Sequence, residues 1–237
     1  MSDVLNLTHK NFGGYIKMGD FIAVLNILSF IRKSSDSMIK FHLPESELQK
    51  KEHVIKFKNF LNNHTNFFSE IPGVRNYEMN WEIWGFRKKY GEHVIIDNPH
   101  TQEKKICIFP LLNASYNTQR NWPLGILEKN IKKFSMPEYD MFKRIICIED
   151  AGLINDIDIK NFSISTNFED NLFHAMTCSH YVGGDTGFSH FTSVLSDTKD
   201  LVYYYSKGLH GTWESSFTSP FYTGKKGKME YYEHSVI

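Results

Sequence analysis

One stretch of sequence decides the fold: Tyr181-Val182-Gly183-Gly184-Asp185-Thr186-Gly187-Phe188-Ser189-His190. A short apolar strand runs into paired glycines, which let the backbone turn sharply and let a ligand approach closely. Asp185 or Thr186 then caps a helix that we predict over Thr186 to Leu195. Strand, glycine turn and helix in this order indicate an α/β sheet, where ligands bind beyond the carboxyl ends of the strands.

The same turn is a candidate anion site. The first turn of a helix has unpaired N–H groups and partial positive charge, so Gly184, Asp185, Thr186 and Gly187 could receive a diphosphate. His190 follows Thr186 by four residues and therefore lies on the same face of the helix. The structural alternative is an ordinary capped turn with a partly buried histidine.

Working outward from this turn, short β-like runs alternate with helical patterns along the chain, which is typical of a parallel α/β architecture. The predicted strands are Val4 to Leu7, Met38 to Leu43, Lys105 to Phe109, Arg144 to Ile148, Phe162 to Ser165, Tyr181 to Val182 and Leu201 to Tyr205. The other predicted helices are Asp20 to Lys33, Lys51 to Phe68, Pro123 to Phe134 and Glu169 to Cys178. The polar segment Asp97 to Glu103 is a candidate linker. No regular structure is assigned to the tail after Ser206.

Composition narrows the class of protein. The chain has 237 residues, 41% of them hydrophobic and 23% charged, as in ordinary globular proteins. Lys plus Arg and Asp plus Glu both number 27, so net charge does not favour non-specific binding to nucleic acid. No apolar run is long enough to span a bilayer and the N-terminus lacks a signal-peptide pattern. We therefore expect a cytoplasmic protein with no stable membrane insertion.

Residues able to bind a metal or react as nucleophiles are scarce. Cys107 and Cys147 lie within apolar runs and are predicted to be buried as small hydrophobic residues, and no CxxC or His-rich metal spacing occurs. The Asp-x-Asp sequence from Asp156 to Asp158 is interpreted as a solvated loop, although such a pair can hold a divalent cation on a diphosphate. No metal site and no cofactor are predicted.

Two further loops carry candidate residues. Arg120 lies between a buried strand and a helix, where it is either a surface arginine or a bidentate partner for phosphate. Asp20 follows the glycine-rich segment from Asn11 to Gly19. It is either a helix cap or a carboxylate that takes a proton from an acceptor hydroxyl.

Together these segments resemble the bacterial ADP-heptose:lipopolysaccharide heptosyltransferase family. Gly19-Asp20 is similar to its N-terminal Gly-Asp motif, and Thr118 to Pro123 is similar to its Lys-Arg-Trp-Pro segment, with Arg120 in place of the lysine. Gly184 to Phe191 matches its Asp-Thr-Gly-x-x-His motif. Glu149 corresponds loosely to a glutamate near the donor nucleoside. The motifs occur in the family's order from Gly19 to Phe191.

The resemblance implies a GT-B fold, with two Rossmann-like domains facing a cleft. Residues 1–100 would form a reduced acceptor-side domain and residues 101–237 a domain that binds a nucleotide-sugar donor. It implies an inverting, metal-independent glycosyltransferase, with Asp20 as catalytic base. Arg120, Glu149, Gly184, Asp185, Thr186, Gly187 and His190 would bind the donor. The resemblance does not identify heptose or lipopolysaccharide as the specific substrate, because the chain is shorter than family members and an arginine replaces the lysine.

Three alternatives stay open at this point. The acceptor is either a glycan or a modified base in DNA, and Lys225, Lys226 and Lys228 are candidates to meet DNA phosphates. A relative that binds a nucleotide or sugar without catalysis is a different class of protein. A dehydrogenase is disfavoured because the first strand-to-helix turn lacks a GxGxxG sequence.

Overall fold

The computed structural model describes residues 4–6, 18–19, 22, 40–42, 51–65, 96–112, 120–159, 161–196, 199–206 and 227–233. Its N-terminal elements are strands β1 (Val4–Asn6) and β2 (Lys40–His42) and helix α1 (Lys51–His64). There follow β3 (Glu103–Phe109), α2 (Leu124–Phe134), β4 (Lys143–Cys147), β5 (Ser163–Ser165), α3 (Phe168–Thr177), β6 (Cys178–Gly183), α4 (Gly187–Ser193), β7 (Asp200–Ser206) and β8 (Gly227–Tyr232). Met18, Gly19 and Ile22 are also helical.

The main sheet has six parallel strands in the order β5-β4-β3-β6-β7-β8. From β3 the chain moves outward through β4 and β5, returns to β6 beside β3, and continues through β7 to β8. This is the strand order of a doubly wound Rossmann-like sheet, in which a ligand crevice lies where the order reverses. The expected α/β class is therefore confirmed, and the reversal falls between β3 and β6.

Helices cover both faces of this sheet. On one face, Ile106, Ile108 and Val182 pack with Leu127 and Phe134 of α2 in a buried cluster. Side chains alternate between faces along a strand, so the intervening residues face the other way. On that face, the Cys107 thiol contacts the main-chain carbonyl of His174 in α3. The Tyr203 hydroxyl lies 3.3 Å from the Thr192 hydroxyl of α4. Burial on both faces accounts for the continuous apolar runs in the central strands.

The helix ends follow ordinary capping rules. Asn167 accepts hydrogen bonds from the Glu169 and Asp170 N–H groups and so opens α3. At the other end of α3, buried Lys199 donates to the Ala175 and Met176 carbonyls. A cation at this end also suits the negative end of the helix dipole.

Helix α1, in the N-terminal part of the chain, packs against α4, one of the helices that cover the six-stranded sheet. The Phe57 ring of α1 meets Phe191 of α4 edge to face, with 5.2 Å between centroids. The predicted linker is also attached, because the Asn98 side chain donates to the Met176 carbonyl and the Asn98 main-chain N–H donates to the Ser196 hydroxyl. β1 and β2 form their own parallel pair.

Cys107 and Cys147 are buried, as predicted, and Cys178 is buried as well; all three are free thiols. The main addition to the predicted elements is β8, a parallel edge strand in the tail to which no structure was assigned. Among the described residues, no helix combines the length and apolar character needed to cross a membrane.

Candidate functional site

The site forms where β3 and β6 end side by side. Phe109 pairs with Gly183, the last residue of β6, and the Gly184 N–H bonds weakly to the Phe109 carbonyl at 3.4 Å. Gly184 has to be small here: an added Cβ would lie 2.8 Å from Trp122 Nε1 and 3.1 Å from Leu111 Cβ. The glycine turn predicted from the sequence is therefore packed directly against the Arg120 loop.

Thr186, not Asp185, caps α4. Its hydroxyl accepts from the Ser189 N–H at 3.4 Å, which leaves the Asp185 side chain to bind elsewhere. The Thr186 N–H donates to the Gly184 carbonyl at 2.9 Å. A ligand would therefore have to displace this internal hydrogen bond before the Thr186 N–H could donate to it. Helix α4 begins at the next residue, Gly187.

Asp185 pairs with Arg120. Its Oδ2 lies 2.6 Å from Nη2 of Arg120, and the same nitrogen also donates to the Asp185 main-chain carbonyl. Both side chains are largely buried, with 16% of Arg120 and 7% of Asp185 exposed. A buried ion pair needs good geometry to offset its desolvation, and here the hydrogen bonds supply it. The pairing fixes the arginine at the carboxyl ends of β3 and β6.

His190 lies beside this pair. Its Nε2 lies 3.8 Å from Oδ1, the other oxygen of the Asp185 carboxylate. This distance is too long for a hydrogen bond but within the range of an ion pair. The imidazole is 6% exposed, so it sits at the floor of the site.

The segment before Asp20 packs onto this floor. A Cβ added to Gly19 would lie 3.3 Å from His190 Cδ2, and one added to Gly187 would lie 2.9 Å from Met18 Cβ. Gly19 therefore brings the Gly-Asp segment into contact with the Asp-Thr-Gly-x-x-His segment. The two segments are more than 160 residues apart in the sequence. Asp20 itself lies outside the described residues, as do Thr118 and Gln119.

Glu149 stands apart from this group. It is exposed and follows β4, so it lies at the same edge of the sheet, on the side of β3 away from β6. None of the contacts described above for Arg120, Asp185 and His190 involves it. The structure brings together Arg120, the glycine turn and His190, and places Glu149 one strand away.

Sequence reasoning missed several supporting residues. Tyr181 Oη lies 2.9 Å from Ser189 Oγ, and the Ser189 hydroxyl donates to the Gly184 carbonyl beneath the turn. Complete burial, the largest influence, raises the pKa of Tyr181 well above its usual value, so this hydroxyl stays protonated. Tyr232 of β8 donates to the Arg120 carbonyl. No short-range motif links these residues, since the bonds join different elements.

Other features lie away from the site. A cavity of about 320 Å³ is lined by His180, Asp200 and Lys228, from the amino-terminal parts of β6, β7 and β8, which is the opposite edge of the sheet. Lys228 is paired with Glu230 at 2.8 Å, and Lys225 and Lys226 lie outside the described residues. In the described parts of the chain, no group of three His, Cys, Asp or Glu side chains is arranged to hold a metal ion.

No protein-family model, curated protein or solved structure matches this chain.

Proposed function

We propose that this protein transfers a sugar from a nucleotide-diphosphate sugar to an acceptor hydroxyl, with inversion at the anomeric carbon and without a metal. The observation that carries the proposal is the contact of three sequence motifs at one place. Arg120, the Gly184–His190 turn and the main chain of Gly19 meet at the carboxyl ends of β3 and β6. In doubly wound sheets, ligands bind at this point of strand reversal.

Arg120 and His190 are proposed to bind the diphosphate. Arginine presents several N–H donors in a fixed plane, and one nitrogen, Nη2, is engaged by Asp185. Asp185 therefore orients the guanidinium. In the proposed role, the Arg120 guanidinium and the imidazole of His190 stabilise the diphosphate as it leaves.

Asp20 is proposed as the catalytic base. It is adjacent in sequence to Gly19, whose backbone packs on His190, and this contact supports a position for Asp20 near the proposed donor site. In the proposed step, the Asp20 carboxylate takes the proton of the acceptor hydroxyl. The acceptor oxygen bonds to the anomeric carbon, whose bond to the phosphate oxygen breaks, and the nucleoside diphosphate leaves with that electron pair.

The proposed arrangement is a GT-B one, with residues 1–100 on the acceptor side and residues 101–237 on the donor side. Two features support it: β1 and β2 pair with each other rather than with the six-stranded sheet, and the sheet has the Rossmann-like order. Glu149 is proposed to face the donor nucleoside, because β4 ends at the same edge as β3.

The first experiment is a binding panel of ADP, GDP, UDP and their sugars, read by melting temperature and by calorimetry. Arg120→Gln should weaken binding of the selected nucleotide at least about tenfold, because hydrogen bonds to charged groups contribute about 1.5–3 kcal/mol. Arg144→Gln is the matched control, since Arg144 is also buried and paired with an aspartate, Asp140, but lies at the opposite edge of the sheet.

The second experiment supplies the selected donor with glycan acceptors or with DNA carrying a hydroxyl-bearing modified base. Product formation should be lost in Asp20→Asn while donor binding is kept. Full activity in this variant would refute the base assignment. Donor binding without consumption would identify a non-catalytic binding protein, and no binding of any nucleotide would overturn the proposal as a whole.

A further inference from the structure

The C-terminal strand reaches the proposed anion site through one hydroxyl group. Tyr232, the last residue of β8, donates its O–H to the main-chain carbonyl of Arg120 at 2.7 Å. Tyr232 is 9% exposed and belongs to the same buried cluster as Trp122, two residues beyond Arg120. This hydrogen bond joins residues that are 112 positions apart in the sequence, so it attaches the C-terminal strand to the loop that carries Arg120.

The position of β8 is set independently of this bond. β8 pairs in parallel with β7 through six residues, and Tyr232 stands opposite Ser206 at the carboxyl end. Oε2 of Glu230 lies 3.2 Å from Nζ of Lys129 in α2, the helix that follows the Arg120 loop. Oε1 of Glu230 lies 2.8 Å from Nζ of Lys228. The strand is thus anchored before it reaches the loop, and Tyr232 can transmit that fixed position.

The chemistry of the hydroxyl suits a permanent donor. Burial, the largest influence, raises the pKa of Tyr232 well above its ordinary value, and the charge of Asp185 acts in the same direction. The O–H group therefore keeps its proton at neutral pH and remains a donor. A buried carbonyl that loses such a donor is left without compensation for its lost hydration.

We propose that Tyr232 is a positioning residue for the Arg120 guanidinium, so that β8 is part of the anion-binding site. The inference rests on the proposed function, because it concerns the binding of the same diphosphate. Two contacts hold the loop from different sides: Tyr232 holds the Arg120 carbonyl, and the Leu111 carbonyl accepts from the Trp122 N–H at 2.6 Å. The Asp185 pair then orients the side chain, while Tyr232 sets the backbone from which it extends.

The test compares Tyr232→Phe with Tyr231→Phe. Both changes remove one hydroxyl from β8, but Tyr231 is 43% exposed and serves as the matched control. The probe is whichever of ADP, GDP or UDP the wild-type protein binds. Tyr232→Phe should raise its dissociation constant about tenfold, the effect of losing one well-placed hydrogen bond, and Tyr231→Phe should leave it within about twofold.

A double-mutant cycle separates positioning from a general loss of stability. If Tyr232 acts through Arg120, adding Tyr232→Phe to Arg120→Gln should weaken nucleotide binding by less than about twofold. Additive losses would overturn the proposal. Amide exchange of Arg120, Asn121 and Trp122 without nucleotide should also be faster in Tyr232→Phe than in Tyr231→Phe.

The outcomes distinguish this inference from the proposed function. If the wild type binds a nucleoside diphosphate and Tyr232→Phe binds it equally well, the positioning role falls and the proposed function stands. If the wild type binds none of the three, both fall together.

Discussion

Asp185 holds Arg120 in two ways, through a carboxylate oxygen 2.6 Å from Nη2 and through its own main-chain carbonyl. The two residues lie 65 positions apart and belong to loops that follow different strands. Their contact therefore ties the ends of β3 and β6 together at the point where the strand order reverses. It combines a structural role with the proposed binding role, and the two roles are separable by experiment.

The structural role predicts a large cost for Asp185→Ala. Removing one partner of a buried ion pair leaves an uncompensated charge, which lowers the free energy of unfolding by about 3 kcal/mol. Urea unfolding measures this. Glu52→Ala is the control, because Glu52 and its partner Lys56 are both exposed, at 75% and 38%, so the loss of this pair should cost less than about 1 kcal/mol. Equal effects of the two variants would contradict the role assigned to Asp185.

Much of the sheet was predictable because its strands are buried on both faces. β3, β4 and β7 are apolar runs bounded by polar residues, and the structure shifts their ends by only one or two residues. β6 begins three residues earlier than predicted, because Ser179 and His180 are half-buried polar residues that conceal the strand. β8 escaped prediction because Lys228 and Glu230 interrupt its apolar residues at an edge of the sheet.

Several residues of the candidate site could be singled out from the sequence, but the contacts between them could not be predicted. The turn at Gly184 has a local signature, and so does the loop of Arg120. Which residue Arg120 binds depends on which strands are neighbours, and the choice of Thr186 as the cap released Asp185 for that pairing. The contribution of Tyr232 depends on the register of β8 with β7, a long-range property that no local pattern carries.

Two glycine substitutions should have opposite effects. Gly184→Ala brings a Cβ within 2.8 Å of the Trp122 indole, and overpacking of this kind costs about 1–3 kcal/mol. Gly125→Ala, in the first turn of α2, adds a Cβ that meets none of the described residues within 4 Å, apart from its chain neighbours and the backbone of its own helix. It should raise stability by about 0.4–1 kcal/mol, because alanine restricts the unfolded chain. Thermal unfolding of both variants checks the prediction, and a stabilised Gly184→Ala would contradict the tight packing of the turn.

Buried Lys199 should matter for the end of α3. Its amine donates to the Ala175 and Met176 carbonyls, so Lys199→Met leaves both without that donor and should cost about 1–3 kcal/mol. Lys132→Met is the control, because Lys132 is exposed in the last turn of α2. Denaturant unfolding at low and high salt compares them. An effect of Lys199→Met no larger than that of the control would refute the capping role.

The three thiols should be inert in the folded protein. Burial, the largest influence in both cases, raises the pKa of Cys107 and of Cys178 well above the ordinary range, and Cys147 is buried beside them in the sheet. Since the thiolate is the reactive form, a chromogenic disulfide reagent should label none of the three promptly at pH 8 and all three after unfolding. Rapid labelling of the native protein by even one equivalent would contradict the burial of these strands.

The contact between α1 and the segment before β3 predicts a loss of stability in acid. His64 Nδ1 lies 3.3 Å from His100 Nε2, and burial first, then His100, lowers the pKa of His64 below its usual 6.5. The unfolded state therefore binds a proton more readily than the folded state. This contribution is present above about pH 6.5 and is lost as the pH falls toward the lowered value in the folded protein.

His64→Gln removes that titration, so the variant should lose less stability than the wild type between pH 7.5 and pH 5.5. These conditions lie on either side of the usual histidine pKa of about 6.5. Urea unfolding across this range measures the difference, and an NMR titration of His64 checks the direction of its pKa shift. Parallel stability curves for the two proteins would show that His64 does not couple the docking of α1 to pH.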